Sequence, residues 1–399
     1  MCTDKSMDIL PECSSVSRRK MITKKEILDA IHGKMIISCQ AVEDEPLYVE
    51  EKSIMYLMAR AAKQAGTPAI RTSSIRDVIA IKEETGLPVI GLVKIQYPGY
   101  EGYITPTMKE VDDLVAAGSD VVALDCTLRK RGDGTTVNEF IAQIKEKYPD
   151  IIVCGTAGPW SEGSDYEAGW RLAKDHKIDM IDEHYYQTPG WFIYHQDYYD
   201  QYDRNGSKVY LGEYAAHAPG RPNNVETALC EALHICGMER NGDVVAMSSY
   251  APLLAKDGHV NWSPDMIYFN NKEVKPTVTY HVHKLCSNYC GDEYIESTLS
   301  VNEGRKGVRE RLVVSTVRDS KTGKVYIKMV NLLNHPVKGK LDLSSLKDRF
   351  GEARSMDARL HVITGNWDEW GVLPKESDIK VKPEFDYELP AYSFSLIEI

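Results

Sequence analysis

The run Val209-Tyr210-Leu211-Gly212-Glu213, continued by Tyr214-Ala215-Ala216, places a carboxylate at the end of a short apolar segment. If that segment is a strand of a parallel barrel, Glu213 stands at the strand end, where such folds assemble their active sites. The chemistry open to it there is attack on the anomeric carbon of a sugar. Glycoside hydrolysis with retention needs a second carboxyl group about 5 Å away, to protonate the leaving oxygen. The strand that would carry this second group reads Val121-Val122-Ala123-Leu124-Asp125, so Asp125 stands at the acid's position. Its side chain is one methylene short of glutamate, and misplacement by about 1 Å costs such chemistry on the order of 100-fold. The alternative role for Asp125 is as ion-pair partner of Lys94 or Arg71. Two Asn-Glu pairs, Asn138-Glu139 and Asn302-Glu303, fall in a helical pattern and in the β-rich tail, and read as surface residues.

Positioning such groups requires repeated strand-helix units, and the chain has them from Met35 onward. Eight strands are expected at Met35–Ile37, Ala69–Arg71, Val89–Val93, Val121–Leu124, Ile151–Cys154, Ile178–Ile181, Val209–Leu211 and Val244–Met247. Three- and four-residue apolar spacing predicts helices at Ile54–Gln64, Ser74–Glu84, Thr107–Ala117, Val137–Lys147, Tyr166–Lys174 and Val225–Met238, with Gly66 and Gly118 as stops. After about Cys290 the period becomes two, as in Val325-Tyr326-Ile327-Lys328-Met329-Val330, which predicts an antiparallel β domain. The first residues are polar and without periodicity. The expected organisation is a disordered extension (1–21), two half-barrels (22–150 and 151–289) forming a (β/α)8 TIM-type barrel, and a C-terminal antiparallel β-sandwich (290–399).

Composition removes several function classes. The chain has 399 residues, 43% of them hydrophobic, and a formal net charge of −11, which argues against a nucleic-acid partner. No window reaches the ~20 apolar residues of a membrane span, and the N-terminal stretch lacks a signal-peptide core, so a cytoplasmic location is expected. Nine scattered cysteines without a Cys-x-x-Cys pair read as reduced thiols, and Cys286 and Cys290, one helical turn apart, as small apolar residues. His217, His281 and His283 have no metal-ligand spacing, and no Gly-rich phosphate loop is present. Neither a metal nor a cofactor is expected.

Two family resemblances meet in the middle of the chain. Residues from about Met21 to Tyr148 resemble the front half of N-acetylmannosamine-6-phosphate 2-epimerases, the NanE family. The resemblance rests on Ser38-Cys39-Gln40-Ala41, Ile70-Arg71, Pro88-Val89-Ile90-Gly91-Leu92-Val93-Lys94, Tyr103-Ile104-Thr105-Pro106-Thr107 and Ala123-Leu124-Asp125-Cys126-Thr127. It implies Lys94 as catalytic lysine, with Gln40, Arg71 and Asp125 lining a substrate pocket. Residues from about Ile151 onward resemble the back half of family 51 α-L-arabinofuranosidases, on Gly155-Thr156-Ala157-Gly158-Pro159, Asp182-Glu183-His184-Tyr185-Tyr186, Gly212-Glu213-Tyr214-Ala215, Met247-Ser248-Ser249-Tyr250-Ala251-Pro252-Leu253 and Leu389-Pro390-Ala391-Tyr392-Ser393. This one implies Glu213 as nucleophile, with His184 and Tyr186 in the sugar site and the tyrosine hydroxyl bonded to Glu213. The splice falls near Lys145–Asp150.

The combined expectation is a carbohydrate-active protein, an α-L-arabinofuranosidase-like hydrolase of terminal arabinofuranosyl groups that carries an epimerase-like front half and lacks the usual acid/base glutamate. The alternative is interconversion of N-acetylmannosamine- and N-acetylglucosamine-6-phosphate through Lys94 and Glu213. A third reading is a non-catalytic sugar-binding protein or inactive fusion, with Trp160, Trp191 and Tyr250 offering ring faces. The partner in the first two readings is a small carbohydrate.

Overall fold

A computed structural model describes residues 23–399 except 32, 33, 35, 44, 46, 303 and 351–354. The extension 1–21 and Glu303 lie outside the described residues. Eight parallel strands pair in chain order: β1 (Ile37–Ser38), β2 (Ile70–Ser73), β3 (Val89–Leu92), β4 (Val121–Leu124), β5 (Ile152–Thr156), β6 (Met180–Gln187), β7 (Lys208–Ala216) and β8 (Val245–Tyr250). Among the described residues no hydrogen bond joins β8 to β1, so the barrel is nearly closed. Strands buried on both faces explain the continuous Val/Ile/Leu runs. Their inward residues, including Ile90, Leu92, Val121, Ile152, Met180, Tyr210 and Met247, form one cluster with Ile27 and Ile31 of helix α1 (Lys24–Ile31).

The outer helices are α2 (Met55–Gln64), α3 (Ile75–Thr85), α4 (Met108–Ala116), α5 (Val137–Lys147), α6 (Ser164–His176), α7 (Pro189–Tyr194), α8 (Val225–Arg240) and α9 (Val278–Asn288). Gly66 and Gly118 follow α2 and α4 with φ of +94° and +95°, the left-handed geometry that ends a helix cheaply only with glycine. Glu139 is exposed and closes a capping box: its carboxylate accepts the Thr136 N–H at 2.8 Å.

Several elements exceed the expectation. Strands β6, β7 and β8 continue past Ile181, Leu211 and Met247 because polar residues there still find pairing partners, as in Tyr185 with Tyr214. Helices α1, α7 and α9 were not among the six expected. Nor was a small sheet after β8, made of β9 (Leu254–Lys256), β10 (Ile267–Phe269) and β11 (Val274–Pro276).

The tail contains β12 (Glu293–Ile295), β13 (Leu312–Arg318), β14 (Val325–Asn331), β15 (Val337–Asp342), β16 (Met356–Thr364), β17 (Lys375–Val381), β18 (Glu384–Leu389) and β19 (Ser393–Glu398). Six form an antiparallel sheet, β12-β13-β14-β19-β16-β17, and β15 pairs with β18. Helix α8 has 13 of its 16 residues buried, because it is enclosed between the barrel and this domain. Lys328 of β14, fully buried, forms an ion pair with Glu239 of α8, which also accepts a hydrogen bond from Ser315 at 2.6 Å.

The two half-barrels share a core where the chain crosses between them. β4 and β5 pair over four positions from Val121–Ile152 to Leu124–Gly155. Behind them Ile141 and Ile144 of α5 pack in one cluster with Val153, Leu172 and Ile178. Each such buried aliphatic side chain stabilises by about 1.5–3 kcal/mol.

Candidate active site

The two-residue period of β6 sends Asp182, His184 and Tyr186 to one face and Glu183 and Tyr185 to the other. The register between β6 and β7 shifts at this point: Glu183 pairs with Leu211 and His184 with Glu213, so Gly212 is skipped. A Cβ at position 212 would lie 2.0 Å from Asp182 Oδ1 and 2.7 Å from His184 Nε2, so only glycine lets the Asp182–His184 pair pass under the strand. The Tyr186 hydroxyl donates to Glu213 Oε2 at 2.7 Å, and His184 Nδ1 lies 3.5 Å from the same oxygen. His184 Nε2 is 3.0 Å from Asp182 Oδ1, an ion-pair contact without the alignment of a hydrogen bond. The end of β7 is tied to α8, where Glu231 accepts the Ala216 N–H at 2.9 Å and faces His283 at 3.3 Å.

These contacts set the charge states. Burial alone would raise the Glu213 carboxyl, but the hydrogen bond and charge of His184, then Tyr186 and Arg71, outweigh it and hold it at about 2. Burial disfavours the His184 cation, yet Asp182 and then Glu213 lift it to about 9. Tyr186 is pushed up by burial and by the charge of Glu213, so its hydroxyl stays a donor. Glu213 is therefore an ionised nucleophile candidate between a phenol and an imidazolium.

Arg71, the second residue of β2, is buried. Its guanidinium is kept charged, against burial, by Tyr210, Asp182 and Glu213. Lys94 follows β3 at the mouth; burial and then the charge of Arg71 lower it, and Glu213 and Glu45 act in the opposite sense. Lys94 is held in place by an antiparallel bridge to Ile104. The segment that carries Ile104 re-enters the barrel wall: the Thr105 N–H donates to the Val93 carbonyl at 2.7 Å and its hydroxyl to the Ala123 carbonyl at 2.6 Å. Thr105 adopts φ of +47° to make both bonds. Gln40, just after β1, is half-buried, and its Oε1 has no hydrogen-bond partner among the described residues.

Asp125 is placed differently from the other candidates. Its Oδ1 accepts the Thr127 N–H at 2.9 Å and the Thr127 hydroxyl at 2.6 Å, and Oδ2 lies 3.6 Å from Arg129. A Cβ at Gly102 would stand 2.6 Å from Oδ2, so that loop covers the carboxylate. Its ion-pair partner is Arg129, where the sequence pointed to Lys94 or Arg71.

The aromatic wall of the mouth also differs from expectation. His217 stacks on Tyr186 with ring centroids 4.9 Å apart, and Trp262 lies 5.2 Å from Tyr186 with Arg221 over the indole at 5.1 Å. Burial, then Arg221, lowers His217 to about 4, leaving a neutral ring. Of the rings singled out from sequence, Trp160 is open to solvent, Trp191 packs behind the barrel on Tyr185 and His195, and Tyr250 is buried against His283. Sequence reasoning missed Asp182 as the partner of His184, although the strand's period two was the available signal. His217 and Trp262 carried none, since they come from separate loops. On the outer face of β6, Glu183 accepts hydrogen bonds from Trp170 (2.9 Å), Tyr202 (2.9 Å) and Tyr199 (3.2 Å), and burial raises it to about 7 against them.

With this geometry in view, the relatives fall into two groups. A family profile described as "Putative N-acetylmannosamine-6-phosphate epimerase" matches residues 55–168, and one described as "Alpha-L-arabinofuranosidase C-terminal domain" matches residues 198–393. A "Putative N-acetylmannosamine-6-phosphate 2-epimerase" of Clostridioides difficile is 38% identical over 188 residues, covering 41% of this chain and 83% of that protein. The chain belongs, through its front half, to the N-acetylmannosamine-6-phosphate 2-epimerase family. Its back half is similar to an extracellular exo-α-L-arabinofuranosidase of Streptomyces chartreusis, 43% identical over 159 residues, 40% of this chain and 19% of that protein. The chain thus spans a fifth of that relative, and 60% and 59% of two further epimerases. A family 51 α-L-arabinofuranosidase of Bifidobacterium longum superposes with a TM-score of 0.67 at 11% identity, over 93% of this chain and 96% of that one. That likeness establishes the fold, a TIM barrel with an appended β-sandwich, under an epimerase-family front half.

Proposed function

We propose that the chain is a glycoside hydrolase of the retaining, arabinofuranosidase-like type, with Glu213 as nucleophile and terminal α-L-arabinofuranosyl groups as substrate. The observation that carries this reading is the Glu213 carboxylate at the barrel mouth, kept ionised by His184 and oriented by the 2.7 Å hydrogen bond from Tyr186. In the first step a Glu213 oxygen bonds to the anomeric carbon and the C–O bond to the leaving group breaks, the electron pair departing with that oxygen. Water then cleaves the glycosyl ester and regenerates the carboxylate. Asp125 is committed to Thr127 and Arg129, so the leaving oxygen departs without a dedicated acid, a deficit of roughly 10²–10⁴ in rate on poor leaving groups.

The test is release of nitrophenol from an aryl α-L-arabinofuranoside, whose leaving group needs no proton. The parent chain is expected to release it and Glu213→Ala to fall by at least about 10³-fold. Equal rates in the two would sink the reading.

A second reading has its own support: Lys94 at the mouth feels the charge of Glu213, so an ammonium and a carboxylate are both available for proton exchange beside a sugar carbonyl. In this reading the substrate is the phosphorylated amino sugar. Lys94→Met would then abolish epimerisation of N-acetylmannosamine-6-phosphate, and a parent chain inactive on that compound removes it.

A further inference from the structure

The loop between β16 and β17 carries two exposed tryptophans close together in the chain. Trp367 and Trp370 are 51% and 58% exposed, and Leu373 (64%) and Val274 of β11 (66%) are also open. The loop's backbone is anchored at the catalytic end of the barrel. The Glu226 N–H donates to the Trp367 carbonyl (3.0 Å), the Val225 N–H to that of Glu369 (2.8 Å) and the Val278 N–H to that of Trp370 (3.2 Å). These are first-turn N–H groups of α8 and α9, which have no acceptor within their helices. Helices of a barrel run opposite to its strands, so their N-termini share the end at which Glu213 opens. The anchor is tightened by Val372, buried in the shared core, and by the Asn366 N–H on the Glu369 carboxylate at 3.2 Å.

Two indoles held at half exposure on a fixed backbone gain little from folding and cost solubility, so their use is sought in a ligand. We infer that Trp367 and Trp370 form a platform for a neutral polysaccharide, the backbone whose arabinofuranosyl branch enters the mouth. This rests on the hydrolase reading above. Three features select the ligand class. The rings present flat apolar faces, with the exposed carboxylates of Asp368 and Glu369 between them as acceptors for sugar hydroxyls. Those carboxylates, in a chain of net charge −11, disfavour an anionic polymer. The platform is also continuous with the mouth: residues 217–224 carry His217 against Tyr186 and Arg221 over Trp262, and then lead into Val225, which is bonded to the platform loop. A few side chains fall short of the roughly 800 Å² per partner of a stable protein interface.

The experiment is affinity electrophoresis through gels containing soluble arabinan or arabinoxylan, using E213Q so that the polymer is not consumed. E213Q is expected to be retarded. The triple variant E213Q/W367A/W370A is expected to lose affinity at least about tenfold, the loss of two aromatic anchors, and E213Q/W367F/W370F to keep part of it. Thermal unfolding of each variant separates lost binding from lost folding. Equal retardation of E213Q and the folded alanine variant overturns the platform, as does absence of retardation in a parent that hydrolyses the aryl arabinoside. Trp-dependent self-association on sizing, without retardation, also overturns it and assigns the patch to a protein contact. Trp-dependent retardation in a chain inactive on the aryl substrate keeps the platform while the hydrolase reading falls.

Discussion

The two half-barrels solve the same positioning problem with different amounts of strand. In the front half β1 to β4 have two to four residues, and their polar ends are held by loops, as Lys94 is by Ile104 and Asp125 by Thr127. In the back half β6 and β7 have eight and nine residues, and the extra length carries Asp182, His184, Tyr186 and Glu213 in register. The orienting contacts of Glu213 come from β6, its own neighbour. The front half contributes charge to it, through Arg71, and among the described residues no hydrogen bond that orients it. The carboxylate at position 213 thus keeps its orientation from a strand of its own half, Tyr186 and His184 both lying on β6.

That comparison can be broken or sharpened by substitution. Arg71→Met removes the buried front-half cation that faces Asp182 and Glu213. Stability should fall by roughly 3–5 kcal/mol in urea unfolding, and the acid limb of the pH–rate profile should move upward as Glu213 loses a positive neighbour. An unchanged acid limb would mean that the halves are electrostatically independent.

Within the back half, pH reports on the His184–Glu213 pair. His184 is held at about 9 against an ordinary 6.5, so its contribution to stability is complete below 6.5 and is lost as pH rises through 9. Glu213 is held at about 2 against 4.5, so its contribution is complete above 4.5 and is lost as pH falls through 2. Both are in force between pH 4.5 and 6.5. Thermal melts should show a loss of about 2–3 kcal/mol between pH 6.5 and 9 that His184→Gln abolishes. A parallel decline in the variant would place the titrating group elsewhere.

Gly212→Ala should cost about 1–3 kcal/mol, because its Cβ displaces Asp182 from His184, and should slow nitrophenol release more than it lowers the unfolding midpoint would explain. The smallest effect is expected in the front half. Asp125→Asn keeps an acceptor for Thr127 and loses only the half-exposed Arg129 pair, so stability should change by less than about 1 kcal/mol and aryl arabinoside hydrolysis by less than about threefold. A large loss of activity there would restore Asp125 as the acid.

Much of this architecture was legible before any coordinates. Eight barrel strands follow from short apolar runs bounded by loop residues, six helices from a period near 3.6 and the tail from a period of two, since the spacing that each element buries is local. The same local logic expected Glu213 at a strand end, whereas β7 runs three residues beyond it to Ala216; with the family resemblances it set His184 and Tyr186 beside Glu213. Asp182 was within reach of the same period and was passed over. The extensions of β6 to β8 were not legible, because a polar residue joins a strand when its neighbour supplies the pairing, and that neighbour is distant in the chain.

The sequence by itself determined the repeated units, the change to an antiparallel tail, and the presence of two family signatures in one chain, matched at residues 55–168 and 198–393, all carried by contiguous residues. Only the tertiary structure decided that Gly212 lets Asp182 reach His184, that Arg71 of one half answers the carboxylates of the other, and that Asp125 turns to Arg129. It also brought His217 and Trp262 against Tyr186 and set Trp367 and Trp370 on the N-termini of α8 and α9. The physical reason is shared. Local spacing fixes which face a side chain takes, but what it meets there is set by other segments: even Asp182 and Asp125, whose partners are two to four residues away, are confined by Gly212 and Gly102 of other loops and strands.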